Sequence, residues 1–221
     1  MLPFTREQFF AVFAAYNEAV WPVQYLAYLL ALAMLVALVR GWPGRDRLVS
    51  GGLAAMWVWT GVAYHGLYFA PINPAALGFA ALFVVQGVLM AHAGLMQGRL
   101  RFEVRPGWRG LVGWCLVAYA AIVYPLLGWA AGHRYPEMPS FGITPCPVTL
   151  FTFGMLLLAA PVIPRRLLVI PLLWSLVGGS AAVLLGVPQD WPLLISGLCL
   201  VLLLWPGKVQ PGNSSPPQGA A

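Results

Sequence analysis

Apolar runs long enough for membrane helices alternate with short polar connections along most of the chain. Seven such runs are present, and an α-helix needs roughly 20 residues to cross the hydrocarbon core of a bilayer. They cover residues 20–39, 48–70, 74–96, 110–131, 147–163, 167–185 and 191–205. The pattern predicts an all-α integral membrane protein, in which a bundle of about seven transmembrane helices forms a single domain over residues 1–206.

A short amphipathic element precedes the first run. Thr5 and Gln8 have the spacing of a capping box, which marks the start of a helix. Phe9, Phe13 and Tyr16 then fall on one face of that helix. We therefore expect a helix that lies along the membrane interface before the bundle begins.

The carboxyl-terminal end has a different composition. Residues 207–221 are rich in Pro, Gly, Ser and Gln and have no apolar periodicity. Such a segment buries too little apolar surface to offset the entropy of ordering. It is predicted to be a disordered cytoplasmic tail.

Composition supports lipid as the solvent of this chain. The sequence is 61% hydrophobic and 8% charged, and its mean hydropathy is +0.81. A water-soluble fold with these values would expose a very large apolar surface. The net charge of +6 does not indicate nucleic acid, because the basic residues flank apolar runs and form no basic stripe. The lipid bilayer is thus the predicted partner.

The basic residues predict an orientation. Ten of the 12 Lys and Arg residues lie in connections that an odd number of crossings places on one side, and only Arg6 and Arg134 lie on the other. The ten are Arg40, Arg45, Arg47, Arg99, Arg101, Arg105, Arg109, Arg165, Arg166 and Lys208. Because Lys and Arg in short loops favour the cytoplasmic side, we expect the N-terminus outside and the C-terminus in the cytoplasm.

Unusual polar residues gather on the predicted outer side. They are Glu18, His65, Asn73, His133, Glu137, Cys146 and Asp190. Ionisable groups within a membrane are costly and are usually functional, and His65 is predicted to lie more than one helical turn below the surface. These residues predict an outward-facing vestibule that binds or transports a small polar solute or a metal cation, although polar outer loops are also ordinary in membrane proteins.

The longest predicted outer loop covers residues 132–147 and is rich in proline. Its prolines prevent a continuous helix and remove backbone donors, so the loop should be stiff. A stiff loop would present His133, Glu137 and Cys146 in fixed directions. A passive connector between two spans is an equal alternative for this loop.

Imidazole and thiolate are ligands that zinc and copper prefer. His65, His133 and Cys146 are accordingly a candidate set for a transition metal, although their spacing matches no metal motif. An intramembrane metal-dependent hydrolase, with Glu137 or Glu18 activating a zinc-bound water, is the alternative to the leading, non-enzymatic hypothesis. A structural or sensory partner protein is a third hypothesis, and a homo-oligomer is left open.

Several classes of protein are excluded by the sequence or gain no support from its motifs. The only lysine is Lys208, in the tail, so no helix offers a Schiff-base lysine for a retinal. The sequence contains no phosphate-binding glycine loop, no Gly-x-Ser-x-Gly elbow and no His-Glu-x-x-His pair. Known motifs therefore assign no activity.

Four segments resemble a bacterial family of polytopic membrane proteins, the domain of unknown function 6064 family. They are LPFTREQFF running on to YNE at residues 2–18, INPAA at 72–76, the proline-rich stretch that ends in TPCP at 132–147, and FTFG at 151–154. The resemblance implies a multi-pass protein of a bacterial inner (plasma) membrane. It implies no substrate, cofactor or catalytic residue.

Overall fold

The computed structural model describes residues 3–160 and 163–204, and this part of the chain is mainly helical. The α-helices are α1 (Arg6–Ala19), α2 (Val23–Arg40), α3 (Arg45–Trp59), α4 (Ala76–Ala91), α5 (Gly107–Ala118), α6 (Tyr124–Ala130), α7 (Pro145–Leu157), α8 (Arg166–Leu185) and α9 (Trp191–Leu204). Three π-helical segments extend α3 (Thr60–Phe69), extend α4 (His92–Met96) and join α5 to α6 (Tyr119–Val123). The predicted all-α class is confirmed.

Within residues 3–160 and 163–204, four helices are long and apolar enough to cross a membrane. They are Val23–Arg40, Ala76–Met96, Gly107–Ala130 and Arg166–Leu185. Their bounds lie within a few residues of four of the predicted runs. Length and composition therefore support a membrane protein.

The other three predicted runs differ from these four. The helix that starts at Arg45 carries Asp46 and Arg47 in its first turn. α7 has only 13 residues, which span about 20 Å and fall short of the roughly 30 Å hydrocarbon core. α9 is described only as far as Leu204. Seven crossings and their orientation thus stay predictions, and the predicted tail, 207–221, lies outside the described residues.

α7 is the central helix of the bundle. Every residue from Pro147 to Leu157 is buried, and the helix packs against α3, α5, α8 and α9. Because neighbours surround it on all sides, α7 needs no amphipathic pattern, and its continuous apolar sequence matches that position.

The predicted fifth run extends to residue 163, but the helix ends at Leu157. Ala159–Ala160 instead forms strand β2, which pairs antiparallel with strand β1, Arg101–Phe102. The Arg45 Nε atom donates to the Phe102 carbonyl at 2.7 Å, and the Asp46 carboxylate accepts from the Phe102 amide at 2.8 Å. These contacts bring the start of α3 and the α4–α5 connection to the same end of the bundle.

Large apolar side chains cover the outer surface of the helices. On α2, Leu26, Leu29 and Leu32 are each about 60% exposed, whereas Gln24 on the same helix is buried. A soluble monomer rarely exposes contiguous apolar faces of this kind. Lipid around the helices would cover them.

Glycines let α5 and α7 approach closely. A Cβ at Gly154 would lie 2.8 Å from the Gly113 carbonyl oxygen and 2.9 Å from the Val117 amide nitrogen. A Cβ at Gly113 would meet the Gly154 oxygen at 3.0 Å. Small residues at such crossings allow backbone-to-backbone packing in membrane bundles.

The crossing of α5 and α7 gives a test of the fold. Gly154→Ala should lower the free energy of unfolding by about 1–3 kcal/mol, because the added methyl group meets backbone atoms that cannot turn away. The matched control is Gly78→Ala in α4, where a Cβ meets nothing within 4 Å. Reversible unfolding in detergent measures both, and equal stabilities for the two variants would contradict this packing.

The amphipathic first helix begins as predicted. Thr5 and Gln8 form both hydrogen bonds of the capping box, and α1 buries Phe10, Phe13 and Tyr16 against the bundle. Its position along the membrane interface stays a prediction.

Candidate functional site

A cavity of about 470 Å³ lies between the amino-terminal segment (residues 3–19), the start of α7 and one side of α8. Its walls are mainly aromatic and aliphatic. The aromatic lining residues are Phe4, Phe9, Phe13, Tyr64, Phe69, Phe79 and Trp174. The lining residues with polar, non-aromatic side chains are Asn73, Thr144, Cys146, Ser180 and Asp190. Among the described residues that line it, Asp190 is the one charged residue, and we call the space the Asp190 cavity.

The chain positions Asp190 through a tight connection between α8 and α9. α8 ends at Leu185 and is capped by Gly186, whose φ of 68° is left-handed and favours glycine. A 3₁₀ turn, Pro188–Asp190, follows directly. The Asp190 side chain is only 3% exposed, so the connection carries a carboxylate into the interior.

The buried carboxylate has two polar neighbours. The Tyr124 hydroxyl donates a hydrogen bond to Asp190 Oδ1, and the Cys146 thiol lies beside the same carboxylate. Asp190 takes part in neither of the ion pairs found between described residues. A buried carboxylate without a cation is electrostatically unfavourable, and two neutral donors compensate only part of that cost.

Burial changes the protonation of this carboxyl. It raises the pKa of Asp190 from 3.8 to about 7, while the hydrogen bonds from Tyr124 and Cys146 act in the opposite direction. Both the protonated and the ionised form are therefore accessible near neutral pH, and a cation placed in the cavity would favour the ionised form.

A π segment brings two tyrosines to this site. Tyr119 and Tyr124 are five residues apart, and the i→i+5 bonding of Tyr119–Val123 turns both toward the same side. Their ring centroids are 6.3 Å apart. The Tyr119 hydroxyl donates to the Gln189 carbonyl at 2.8 Å, next to the carboxylate that Tyr124 contacts. The π segment and the start of α6 thus hold the backbone and the side chain of the same turn.

His65 lies behind the cavity wall and does not line the cavity. It is fully buried, and its ring centroid is 4.7 Å from that of Phe83 and 5.0 Å from that of Trp174. Neither ring nitrogen has a hydrogen-bond partner among the described residues. The predicted vestibule residue is thus enclosed by aromatic rings.

His133 and Glu137 belong to a different depression. A second pocket of about 360 Å³ is lined by Arg6, Glu7, Phe10, Ala11, Gly132, His133 and Glu137. The His133 ring stacks on Phe10 at 4.4 Å between centroids, and its Nδ1 atom lies 3.4 Å from the Gln189 amide nitrogen. Burial and then the Arg6 charge lower the pKa of His133, so a neutral imidazole is favoured there.

The structure separates the seven predicted site residues. The Asp190 cavity is lined by Asn73, Cys146 and Asp190, and the second pocket is lined by His133 and Glu137. His65 is fully buried among aromatic rings. Glu18 is exposed and lines neither cavity. The described ranges contain no group of three or more His, Cys, Asp or Glu side chains that could hold a metal ion. His65, His133 and Cys146 therefore do not converge as a zinc or copper site in this structure.

The proline-rich loop, residues 132–144, is held against α1 by Asn17. The Asn17 amide donates to the Pro136 and Met138 carbonyls, each at 2.7 Å, and its carbonyl oxygen accepts from the Ser140 hydroxyl at 2.8 Å. The Tyr16 hydroxyl adds a bond to the Ile143 carbonyl at 2.9 Å. These contacts give the loop a defined position, and it contributes Pro139 and Thr144 to the cavity wall.

Sequence reasoning missed Tyr124, Trp174 and the role of Asn17. Tyr124 and Trp174 lie within apolar runs, where an aromatic residue is usually core or interfacial. No spacing rule connects Tyr124 with Asp190 across 66 residues. The Tyr-Asn-Glu sequence before α2 was a signal for a polar contact, but it did not reveal its partner.

These observations define a mainly helical protein with helices that are long and apolar enough to cross a membrane, and with a largely apolar pocket whose lining includes a buried carboxylate. The chain belongs to the family described as a family of unknown function, DUF6064, which it matches over residues 6–214. The resemblance seen in the sequence is thereby confirmed. Comparison with curated proteins and with solved structures gives no significant match.

The Asn17 contacts give a test of the loop. Asn17→Ala should lower the free energy of unfolding by about 1–3 kcal/mol, because it removes the hydrogen-bond partners of two partly buried backbone carbonyls. It should also speed amide exchange within residues 136–143. Glu18→Ala, an exposed change at the next position, is the control. Unchanged exchange in the Asn17 variant would show that the loop does not depend on this side chain.

The buried carboxyl gives a second test. Because the pKa of Asp190 is raised to about 7 in the folded protein, ionisation there opposes folding. Relative to Asp190→Asn, the wild type should lose about 1.4 kcal/mol of unfolding free energy per pH unit between about pH 4 and pH 7, and nothing further above that range. Parallel stability curves for the two proteins would place the carboxyl in a water-like environment.

Proposed function

We propose that this protein binds a small organic cation in the Asp190 cavity. The positive group would pair with the Asp190 carboxylate, and the apolar body would lie against the aromatic walls. One observation carries the proposal: the Asp190 carboxylate, on a residue only 3% exposed, lines an otherwise largely apolar cavity. The role is binding or transport without covalent chemistry.

Electrostatics favours a cation as the occupant. An ionised carboxylate in a low-dielectric interior gains most from a directly placed opposite charge. Aromatic faces add a further attraction for ammonium groups, and Tyr64, Phe69 and Trp174 are among the lining residues. A volume of about 470 Å³ also falls within the usual range for small-molecule sites.

The apolar walls distinguish this ligand from a strongly hydrated solute or a metal ion. A metal cation prefers several oxygen, nitrogen or sulfur ligands, and no group of three or more His, Cys, Asp or Glu side chains that could serve as such ligands occurs in the described ranges. The metal-dependent hydrolase and the metal cargo therefore gain no support from this geometry. The polar-solute hypothesis is narrowed to a ligand with one charged end and an apolar body.

We also propose that the chain is a multi-pass protein of a bacterial inner membrane with seven crossings, the N-terminus outside and the C-terminus in the cytoplasm. The contacts of Arg45 and Asp46 with Phe102 support it, since they bring two Arg-rich connections to one end. The binding of the proline-rich loop by Asn17 agrees with its assignment to the same side as α1. Under this orientation the Asp190 cavity lies in the outer half of the bundle.

Ligand binding tests the proposal through charge and pH. Benzyltrimethylammonium keeps its charge at every pH, and neopentylbenzene is its neutral isostere. Because ionisation of Asp190 is centred at about pH 7, affinity for the cation should rise about tenfold from about pH 6 to pH 8, whereas affinity for the isostere should stay flat. Equilibrium dialysis of detergent-solubilised protein measures both.

Two variants complete that test. Asp190→Asn should lower cation affinity by about tenfold or more at pH 8 and remove the pH dependence. Glu103→Gln is the control, because it changes a carboxylate in a surface ion pair with Arg105, outside the cavity lining. Equal affinity for the cation and its neutral isostere in the wild type at pH 8 would overturn the proposed function.

A further inference from the structure

We propose that the ligand of the Asp190 cavity enters sideways from the lipid phase, past α8, and is therefore a membrane-partitioning amine with an apolar chain. This inference rests on the proposed function, because it takes the Asp190 cavity as the binding site. It adds the route of entry and the chemical class of the ligand.

The cavity opens on a side of α8 that also forms the outer surface. Leu176, Val177 and Leu184 line the cavity, and they are 49%, 43% and 71% exposed. A residue that belongs to both the lining and the outer surface marks the rim of an opening. We call these three residues the lateral mouth.

The lateral mouth faces the region that lipid would occupy. α8 is one of the four helices that are long and apolar enough to cross a membrane, and the mouth extends along its carboxyl-terminal half. Phe4, Phe9 and Phe69 also line the cavity, and their rings contact one another. A largely apolar mouth and lining favour passage of an acyl or aromatic chain over a hydrated solute.

Entry from water is less favourable in this geometry. The proline-rich loop contributes Pro139 and Thr144 to the wall, and hydrogen bonds from Asn17 and Tyr16 hold that loop in place. A ligand arriving through the loop would have to break these bonds. A ligand arriving past α8 meets the apolar side chains of Leu176, Val177 and Leu184. It also meets Ser180, whose hydroxyl already donates a hydrogen bond to the Leu176 carbonyl.

The orientation of the ligand follows from the two ends of the cavity. Asp190 is 3% exposed, whereas Leu184 at the lateral mouth is 71% exposed. A nitrogen paired with Asp190 therefore points inward, and the apolar chain extends toward the lipid. Ala181 and Ala182 line the wall of α8, and their small side chains leave room for that chain. A polar headgroup that stays in water fits this arrangement less well.

An amine can also cross the apolar mouth without carrying a charge through it. The neutral amine accepts the proton of the protonated Asp190 carboxyl, so an N–H bond forms and the O–H bond breaks. An ammonium–carboxylate pair results, and no other reactant is needed. Tyr64, Tyr119, Tyr124 and Cys146 are the titratable groups around this carboxyl.

The experiment compares the binding of two amines to the protein in lipid vesicles. Both amines carry the same dimethylamine group, and they differ in the attached chain. Radiolabelled dodecyldimethylamine partitions into the bilayer, whereas a dimethylamine on a polyethylene glycol chain stays in water. We expect the first to bind the wild type and the second to bind at least about tenfold more weakly. Ala181→Trp, which narrows the mouth, should slow association of dodecyldimethylamine by about tenfold or more.

Two further variants distinguish a blocked lateral mouth from a misfolded protein. Leu184→Trp changes a 71% exposed mouth residue and should slow association even where Ala181→Trp does not fold. Val183→Trp is the matched control, since Val183 is 63% exposed on the same helix and does not line the cavity. It should leave the association rate unchanged.

The outcomes distinguish the two proposals. Asp190-dependent binding of both amines with equal affinity, or wild-type association rates in both mouth variants, would overturn lateral entry and leave the cation site intact. Absence of binding by dodecyldimethylamine and by benzyltrimethylammonium alike would overturn both. Slower association in the mouth variants together with weak binding of the polymer-linked amine supports lateral entry.

Discussion

The burial of one carboxylate constrains the arrangement of this protein more than any other interaction. Asp190 accepts a hydrogen bond from Tyr124 and lies beside Cys146, so α6, the start of α7 and the turn before α9 all meet at one charge. In a bundle surrounded by lipid, few hydrogen-bond donors or cations are available to this carboxylate. The π segment that aligns Tyr119 with Tyr124 and the left-handed Gly186 both serve to keep the turn in place.

The apolar outer surface explains how polar and apolar side chains are distributed in the bundle. Large apolar side chains such as Leu29 and Leu184 face outward, while Asn17, Gln86 and Thr152 are buried and hydrogen-bonded. Polar groups inside such a bundle must find partners within the chain. The proline-rich loop and the Asp190 turn meet this requirement through several hydrogen bonds with side chains that are distant in sequence.

The sequence predicted the helices well and the site only in part. Apolar runs and the Thr5–Gln8 capping box depend on local periodicity, so the helix bounds followed within a few residues. The short α7, the β1–β2 pair and the π segments depend on neighbours distant in sequence. Three of the predicted residues, Asn73, Cys146 and Asp190, line one cavity, and their part in binding stays a prediction. Polarity alone could not tell that aromatic rings enclose His65 or that His133 faces a separate pocket.

Infrared spectroscopy of the Asp190 carboxyl tests the central claim most directly. The protonated form has a C=O stretch that disappears on ionisation, and a difference spectrum against Asp190→Asn assigns the band. A midpoint near pH 7, which moves to lower pH when benzyltrimethylammonium is added, is the predicted result. A midpoint near the ordinary value for an aspartate, about 4, or one that the cation leaves unchanged, would contradict a buried carboxylate that receives a positive ligand.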